Sequence, residues 1–157
     1  MMATEIERKF LVRDDSWRGL GKGSHYRQGY LSTEAGRTVR VRVADGRGYL
    51  TIKGKTVNAT RAEYEYVIPL QDANEMLDEL CARPLREKTR YRIEHRGLVW
   101  EVDDFEGENA GLVIAEVELD SVEQAVALPA WVGEEVTAEL RYYNANLIAN
   151  PYSRWSR

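Results

Sequence analysis

The chain of 157 residues holds one cysteine, two histidines and four prolines. The single thiol, Cys81, excludes an internal disulfide framework and any multi-cysteine metal site. It lies in a stretch with helical spacing, residues 73–82, and is read as a small helix residue. The two histidines, His25 and His95, stand far apart in the chain and are read as structural or surface groups. Neither a Walker A loop nor a Gly-rich dinucleotide fingerprint is present. No stretch approaches the ~20 apolar residues of a membrane span, and residues 1–12 carry acidic groups where a signal peptide needs an apolar centre. The expectation is a soluble, cytoplasmic protein with no membrane partner. An excess of positive charge is also missing: 22 Lys and Arg face 26 Asp and Glu, a net charge of −4. That balance gives no global attraction to nucleic acid. Any ligand must therefore be recognised by local charge.

Period-two alternation of apolar and polar residues is what the chain has in abundance, and it marks a mainly β protein. Strands are expected over 3–12, 24–32, 37–44, 47–54, 61–69, 86–96, 98–106 and 112–120. Glu34-Ala35-Gly36, Asp45-Gly46, His95-Arg96-Gly97 and the segment 107–111 supply the turns between them. Three segments have helical character: 71–82, with Ala73, Met76, Leu77 and Leu80 on one face; 122–127, headed by Ser121; and 137–149, with Thr137 as its cap. Pro84, Pro129 and Pro151 follow these segments and end them. Eight mainly antiparallel strands predict one closed barrel in a single domain over 1–157, covered by a few helices. Residues 150–157 are expected to form a loosely held tail.

Splitting the strands by parity, since alternate side chains face opposite sides of a sheet, separates apolar from charged residues. Glu5, Glu7 and Lys9 oppose Ile6, Phe10 and Val12; Arg40 and Arg42 oppose Val39, Val41 and Val43; Lys53 opposes Leu50 and Ile52. Arg61, Glu63 and Glu65 oppose Tyr64, Tyr66 and Ile68, and Lys88, Arg90 and Arg92 oppose Tyr91 and Ile93. Glu101 and Asp103 oppose Trp100 and Val102, and Glu116 and Glu118 oppose Ala115, Val117 and Leu119. A solvated face normally mixes the two signs, whereas here like charges recur in adjacent pairs. If helices cover the apolar faces, the charges point into the barrel. Charges enclosed in this way must be hydrated, paired or filled by a ligand. A polyphosphate chelating divalent cations suits such a lumen: basic groups take phosphate oxygens, and carboxylates take metal.

Glu5-Ile6-Glu7-Arg8-Lys9 reproduces the ExExK signature of the triphosphate tunnel metalloenzymes, or CYTH proteins, at the same N-terminal position. Gln28-Gly29-Tyr30-Leu31, Arg40-Val41-Arg42, Thr51-Ile52-Lys53-Gly54, Glu63-Tyr64-Glu65 and Glu87-Lys88-Thr89-Arg90 follow in family order. Trp100-Glu101-Val102-Asp103, Ala115-Glu116-Val117-Glu118, Gly133-Glu134-Glu135-Val136-Thr137 and Tyr143-Asn144 extend the likeness, so the chain resembles that family over residues 3–148. The resemblance implies an eight-stranded antiparallel tunnel and metal-dependent hydrolysis of a small triphosphate. Inorganic triphosphate is the main expectation, as in several small bacterial members. The alternatives are nucleoside or thiamine triphosphate hydrolysis, ATP cyclisation, or, in another class, a non-catalytic polyphosphate- or nucleotide-binding module.

By motif, Glu5, Glu7, Glu116 and Glu118 would hold Mg²⁺ or Mn²⁺, with Glu101 and Asp103 as further candidates. Lys9, Arg40, Arg42, Lys53, Lys88 and Arg90 would bind phosphate, and Arg141 is proposed in place of a family lysine near Leu140. Lys9, Glu63, Glu65 and Lys88 are the catalytic candidates, with Glu63, Glu65 and Glu118 unranked as the base. Gln28 stands where some relatives carry tyrosine. The oligomeric state stays open, a homodimer being one option.

Overall fold

The structure, a computed structural model, describes residues 4–155. All eight expected strands form: β1 (Thr4–Val12), β2 (Gly23–Glu34), β3 (Arg37–Ala44), β4 (Arg47–Gly54), β5 (Thr60–Ile68), β6 (Arg86–His95), β7 (Leu98–Phe105) and β8 (Val113–Glu118). Every neighbouring pair is antiparallel, in the order β5-β4-β3-β2-β6-β7-β8-β1, and β1 pairs with β5 to close the barrel. The turn at Asp45-Gly46 joins β3 to β4 with positive φ at both residues, as a two-residue hairpin requires.

A further strand, β9 (Val132–Glu135), was not expected. It exists because closure leaves part of an edge free: β5 pairs only with residues 4–6 of β1, and β9 takes the positions around Phe10 and Val12. Between them, the Val136 N–H donates to the Lys9 carbonyl, and the Lys9 N–H donates to the Thr137 hydroxyl. Those bonds occupy an otherwise open strand edge. Thr137 is thus an edge patch and not a helix cap.

Of the three expected helices only the first forms as a substantial helix, α1 (Leu70–Glu79). Ala73 and Leu77 bury against Val41 on the outer face of the sheet. Gly48 permits this close packing, because a Cβ there would sit 2.6 Å from the Ala73 Cβ. The helix ends before residue 82, and Leu80, expected on the packed face, is exposed. Segment 122–127 is irregular; Ser121 closes a turn with Gln124 and heads no helix. Segment 137–149 breaks into a 3₁₀ turn over Leu140–Tyr142 and a four-residue helix, α2 (Asn146–Ala149).

The apolar outer face is therefore covered mostly by loops. Trp17 and Trp131, from the segments before β2 and before β9, pack with Phe10, Trp100, Val102 and Val117 into the largest core cluster. A second cluster lies on the inward face: Phe105 and Ile114, which share the side of Asp103 and Lys88, join Leu112, Val136, Tyr142 and Leu147. Tyr152 and Trp155 pack on this second cluster, with the Trp155 ring 5.1 Å from that of Tyr142. The expected loose tail is thus anchored over 151–155, and residues 156–157 lie outside the described residues. On β4 and β5 the outer residues Ile52, Tyr64 and Tyr66 stay exposed, so the expected covering is incomplete there. Among the described residues no helix is long and apolar enough to cross a membrane.

Candidate active site

With the apolar parity turned outward, the charged parity converges on a cavity of about 440 Å³ along the barrel interior. Lys9, Arg40, Arg42, Lys53, Lys55, Arg61, Arg90 and Arg92 line it, together with Glu5, Glu7, Glu63, Glu65, Glu101, Glu116 and Glu118. That is eight cations against seven carboxylates. A triphosphate added to a lumen so nearly neutral would leave an excess of negative charge, which a divalent cation offsets.

Ion pairing divides the carboxylates into two classes. Glu5 accepts from Lys53 at 2.7 Å and from Arg61 at 3.0 Å. Burial acts to raise its pKa, but these two cations hold it at about 2. Glu116 accepts from the Lys9 ammonium at 2.8 Å; burial is outweighed by Lys9, Arg90 and Lys88, and its pKa lies well below the ordinary carboxylate range. Asp103, fully buried, meets Lys88 at 2.6 Å and Arg90 at 2.7 Å, and these cations likewise overcome burial and lower its pKa.

Glu7, Glu63 and Glu118 form the second class. Glu7 meets one cation directly, Lys9 at 3.2 Å, and lies within hydrogen-bond reach of Glu116; burial together with Glu116 pushes its pKa up to about 7. Burial and Glu5 raise Glu63, which meets Lys53 at 3.4 Å. Burial, with Glu5, Glu63 and Glu101 nearby, raises Glu118. All three lack enough positive charge around them. They are hard oxygen donors facing the cavity, and this fits a hard divalent cation.

The basic side of the lumen shows the complementary deficit. Burial, reinforced by Arg40 and Arg90, lowers the Arg42 pKa to about 10. The Arg42 guanidinium stacks on Tyr26 at 4.8 Å and reaches Glu65 at 3.2 Å. Both Arg40 and Arg42 have a buried Nε–H without a hydrogen-bond partner. Buried donors left unpaired are costly, and here they adjoin a cavity.

Of the residues expected at the site, Glu5, Glu7, Lys9, Arg40, Arg42, Lys53, Glu63, Glu65, Arg90, Glu101, Glu116 and Glu118 all line the cavity. Lys88 and Asp103 lie behind it with no exposed side-chain surface. Burial draws the Lys88 pKa down, against the pull of Asp103 and with the push of Arg90. Arg141 is not brought to the lumen; its guanidinium lies 4.5 Å from the Trp155 ring centre, on the exterior. The side chain two residues further on enters instead. The Tyr143 ring lies 4.8 Å from the Lys9 ammonium and 5.4 Å from the Arg61 guanidinium, while Asn144 accepts from Lys88 at 3.2 Å and from Gln28 at 3.4 Å.

Arg61, Arg92, Tyr143 and Asn144 were not among the expected site residues. Parity on β5 and β6 already placed Arg61 and Arg92 on the charged face, but Tyr143 and Asn144 lie in a segment read as helix, where no strand parity applies.

Residues 3–152 match the CYTH domain family. An inorganic triphosphatase of Acetivibrio thermocellus is 49% identical over 154 residues, which span 98% of this chain and 99% of that protein. An inorganic triphosphatase of Nitrosomonas europaea is 38% identical over 148 residues, 92% of this chain and 96% of that one. The solved structure of the inorganic triphosphatase NE1496 aligns with a TM-score of 0.65 at 36% identity, covering 92% of this chain and 97% of its own. A closed barrel with a lumen of paired charges, matched over nearly its whole length, belongs to the CYTH domain family.

Proposed function

We propose that the protein hydrolyses inorganic triphosphate to diphosphate and phosphate with the help of Mg²⁺ or Mn²⁺. The observation that carries this reading is a single cavity lined both by the buried arginines Arg40 and Arg42, each with an Nε–H that lacks a partner, and by the under-compensated carboxylates Glu7, Glu63 and Glu118. The likeness to two inorganic triphosphatases over nearly the full chain supports it.

Arg40, Arg42, Lys53 and Arg90 bind the phosphate oxygens and hold the chain of phosphates in line. Lys88, behind Arg90, shares Asp103 with it and so fixes its direction. Glu7 and Glu118 would hold the cation, with Glu5, Glu116 and Glu101 around them; when bound, the cation supplies neutralisation of developing phosphate charge. Lys9 bridges Glu7 at 3.2 Å and Glu116 at 2.8 Å and holds both in place. Water attacks the terminal phosphorus, the bond to the bridging oxygen breaks, and diphosphate leaves with the electron pair. Glu63, a cavity-lining carboxylate whose pKa burial and Glu5 raise, takes the water proton.

Phosphate release from tripolyphosphate and from ATP, each with and without Mg²⁺, tests the proposal. Tripolyphosphate is expected to be the preferred substrate, with turnover lost on chelation. Faster metal-dependent ATP turnover, or cAMP as product, would replace this reading with a nucleotide one. Arg40→Ala is expected to raise the Michaelis constant for tripolyphosphate roughly tenfold or more, by loss of a charge-assisted bond. An unchanged constant and turnover would remove Arg40 from phosphate binding.

A further inference from the structure

Tyr26 has the inward parity of β2, opposite Lys88 on β6 and Ala44 on β3, and it is buried. It does not line the cavity, whereas Arg42 and Arg90 do, so its ring lies behind these two cations. The ring centre is 4.8 Å from the Arg42 guanidinium, 5.2 Å from that of Arg90 and 6.0 Å from the Lys88 ammonium. All three are within cation–π reach, the last at its limit. The phenol oxygen accepts from Arg92 at 3.3 Å. Among the described residues no other ring meets three cations.

The two arginines differ in how they are otherwise held. Arg90 is matched by carboxylates: Asp103 accepts from its Nε and Nη2, and Glu101 lies 3.3 Å from its Nη1. Arg42 is matched poorly. It meets Glu65 at 3.2 Å, but the same Glu65 oxygen lies 3.7 Å from Arg40 and accepts from the Thr51 hydroxyl at 2.9 Å. Like charges crowded in a poorly hydrated interior repel, and Arg40 and Arg90 both act on Arg42 in this way. A ring face attracts a guanidinium without carrying a charge of its own. A carboxylate in the same place would neutralise Arg42 and compete with an incoming phosphate. The ring holds the guanidinium and leaves its whole charge for the ligand.

We infer that Tyr26 is a positioning residue: its ring, behind the basic wall, holds the Arg42 and Arg90 guanidiniums side by side toward the cavity, ready for an oxyanion. The inference rests on the reading that these arginines bind the phosphates of the substrate. Tyr26 itself touches no substrate.

Two measurements on the full chain test it. The first is the Michaelis constant and kcat for tripolyphosphate with Mg²⁺; the second is NMR relaxation of the Arg42 side-chain Nε–H without substrate, its signal identified by loss in Arg42→Lys. Tyr26→Leu is expected to raise the Michaelis constant about tenfold, the scale of a desolvated cation–π contact, with a smaller fall in kcat, and to make the Arg42 Nε–H mobile. Tyr26→Phe keeps the ring and should stay near wild type in both. Tyr26→Met replaces Tyr26→Leu should the latter fail to fold. Leu77→Ala, under α1 on the outer face, lowers stability and should change neither the Michaelis constant nor Arg42 order. An ordered Arg42 and an unchanged Michaelis constant without the ring would overturn the inference. So would equal losses in Tyr26→Phe, which assign the effect to the hydroxyl, or in Leu77→Ala, which assign it to general stability. A wild-type chain that leaves tripolyphosphate intact would sink the proposed function, while the Arg42 signal still decides the positioning: mobility in the wild type, or order that survives loss of the ring, overturns it.

Discussion

Glu7→Gln is expected to cut metal-dependent tripolyphosphate turnover by at least about a hundredfold, the usual scale for losing a metal ligand or a comparable electrostatic group. Glu7 lines the tunnel with only Lys9 as a direct cationic partner, and burial beside Glu116 raises its pKa to about 7. Its charge is therefore poorly compensated until a cation arrives. Cation binding must displace a proton from this group at and below neutrality, so Mg²⁺ affinity should weaken as pH falls below about 7. Titration calorimetry at pH 6 and pH 8 reads this directly.

The metal-free chain should show the opposite face of the same linkage. The folded pKa exceeds the ordinary value of 4.5, so Glu7 contributes stability that is complete below about 4.5 and is lost as pH rises through about 7. Glu7→Gln should flatten the fall in unfolding free energy over that window. Near-normal turnover together with pH-independent cation affinity would take Glu7 out of the metal site.

Asp103→Asn is expected to destabilise the fold by about 3–5 kcal/mol, the cost of removing one partner from a buried ion pair. Asp103 and Lys88 have no exposed side-chain surface, and Arg90 meets the same carboxylate through two nitrogens, at 2.7 and 2.9 Å. The substitution leaves two buried cations facing a neutral amide. For a chain of this size the melting temperature should fall by roughly 10 °C or more. Because surrounding cations lower the Asp103 pKa, its contribution is present above the ordinary range near 4 and is lost as pH falls, the reverse of Glu7. Adding Lys88→Met to Asp103→Asn should recover part of the loss, since one unmatched cation is removed as well. A double variant no more stable than Asp103→Asn would show that the Lys88–Asp103 contact carries none of that cost.

The barrel and its charged interior were legible because a strand's period of two leaves a direct trace in the chain. Glu5, Glu7 and Lys9, or Arg40 and Arg42, advertise their shared face whatever they pair with. The weaker readings fell where no such trace exists. Segment 137–149 has helical spacing, yet its residues follow tertiary demands: Val136 and Thr137 bond the free edge at Lys9, and Tyr143 and Asn144 reach Lys9 and Lys88. Arg141 consequently turns outward onto Trp155. β9 escaped notice for a related reason, since a four-residue strand is too short to display alternation, and its partner edge exists only once β5 closes on β1.

Sequence alone determined the strand set, the separation of apolar from charged faces, and the chemical types present in the lumen, because each depends on local periodicity. Only the tertiary structure decided which carboxylates are neutralised by cations and which are left in need of one. Glu5 and Glu7 are two residues apart on the same face of β1, yet their pKa values lie near 2 and near 7. The physical reason is that Lys53 and Arg61, which hold Glu5 ionised, arrive from β4 and β5 through barrel closure, and electrostatic coupling depends on distance in space and not on separation along the chain.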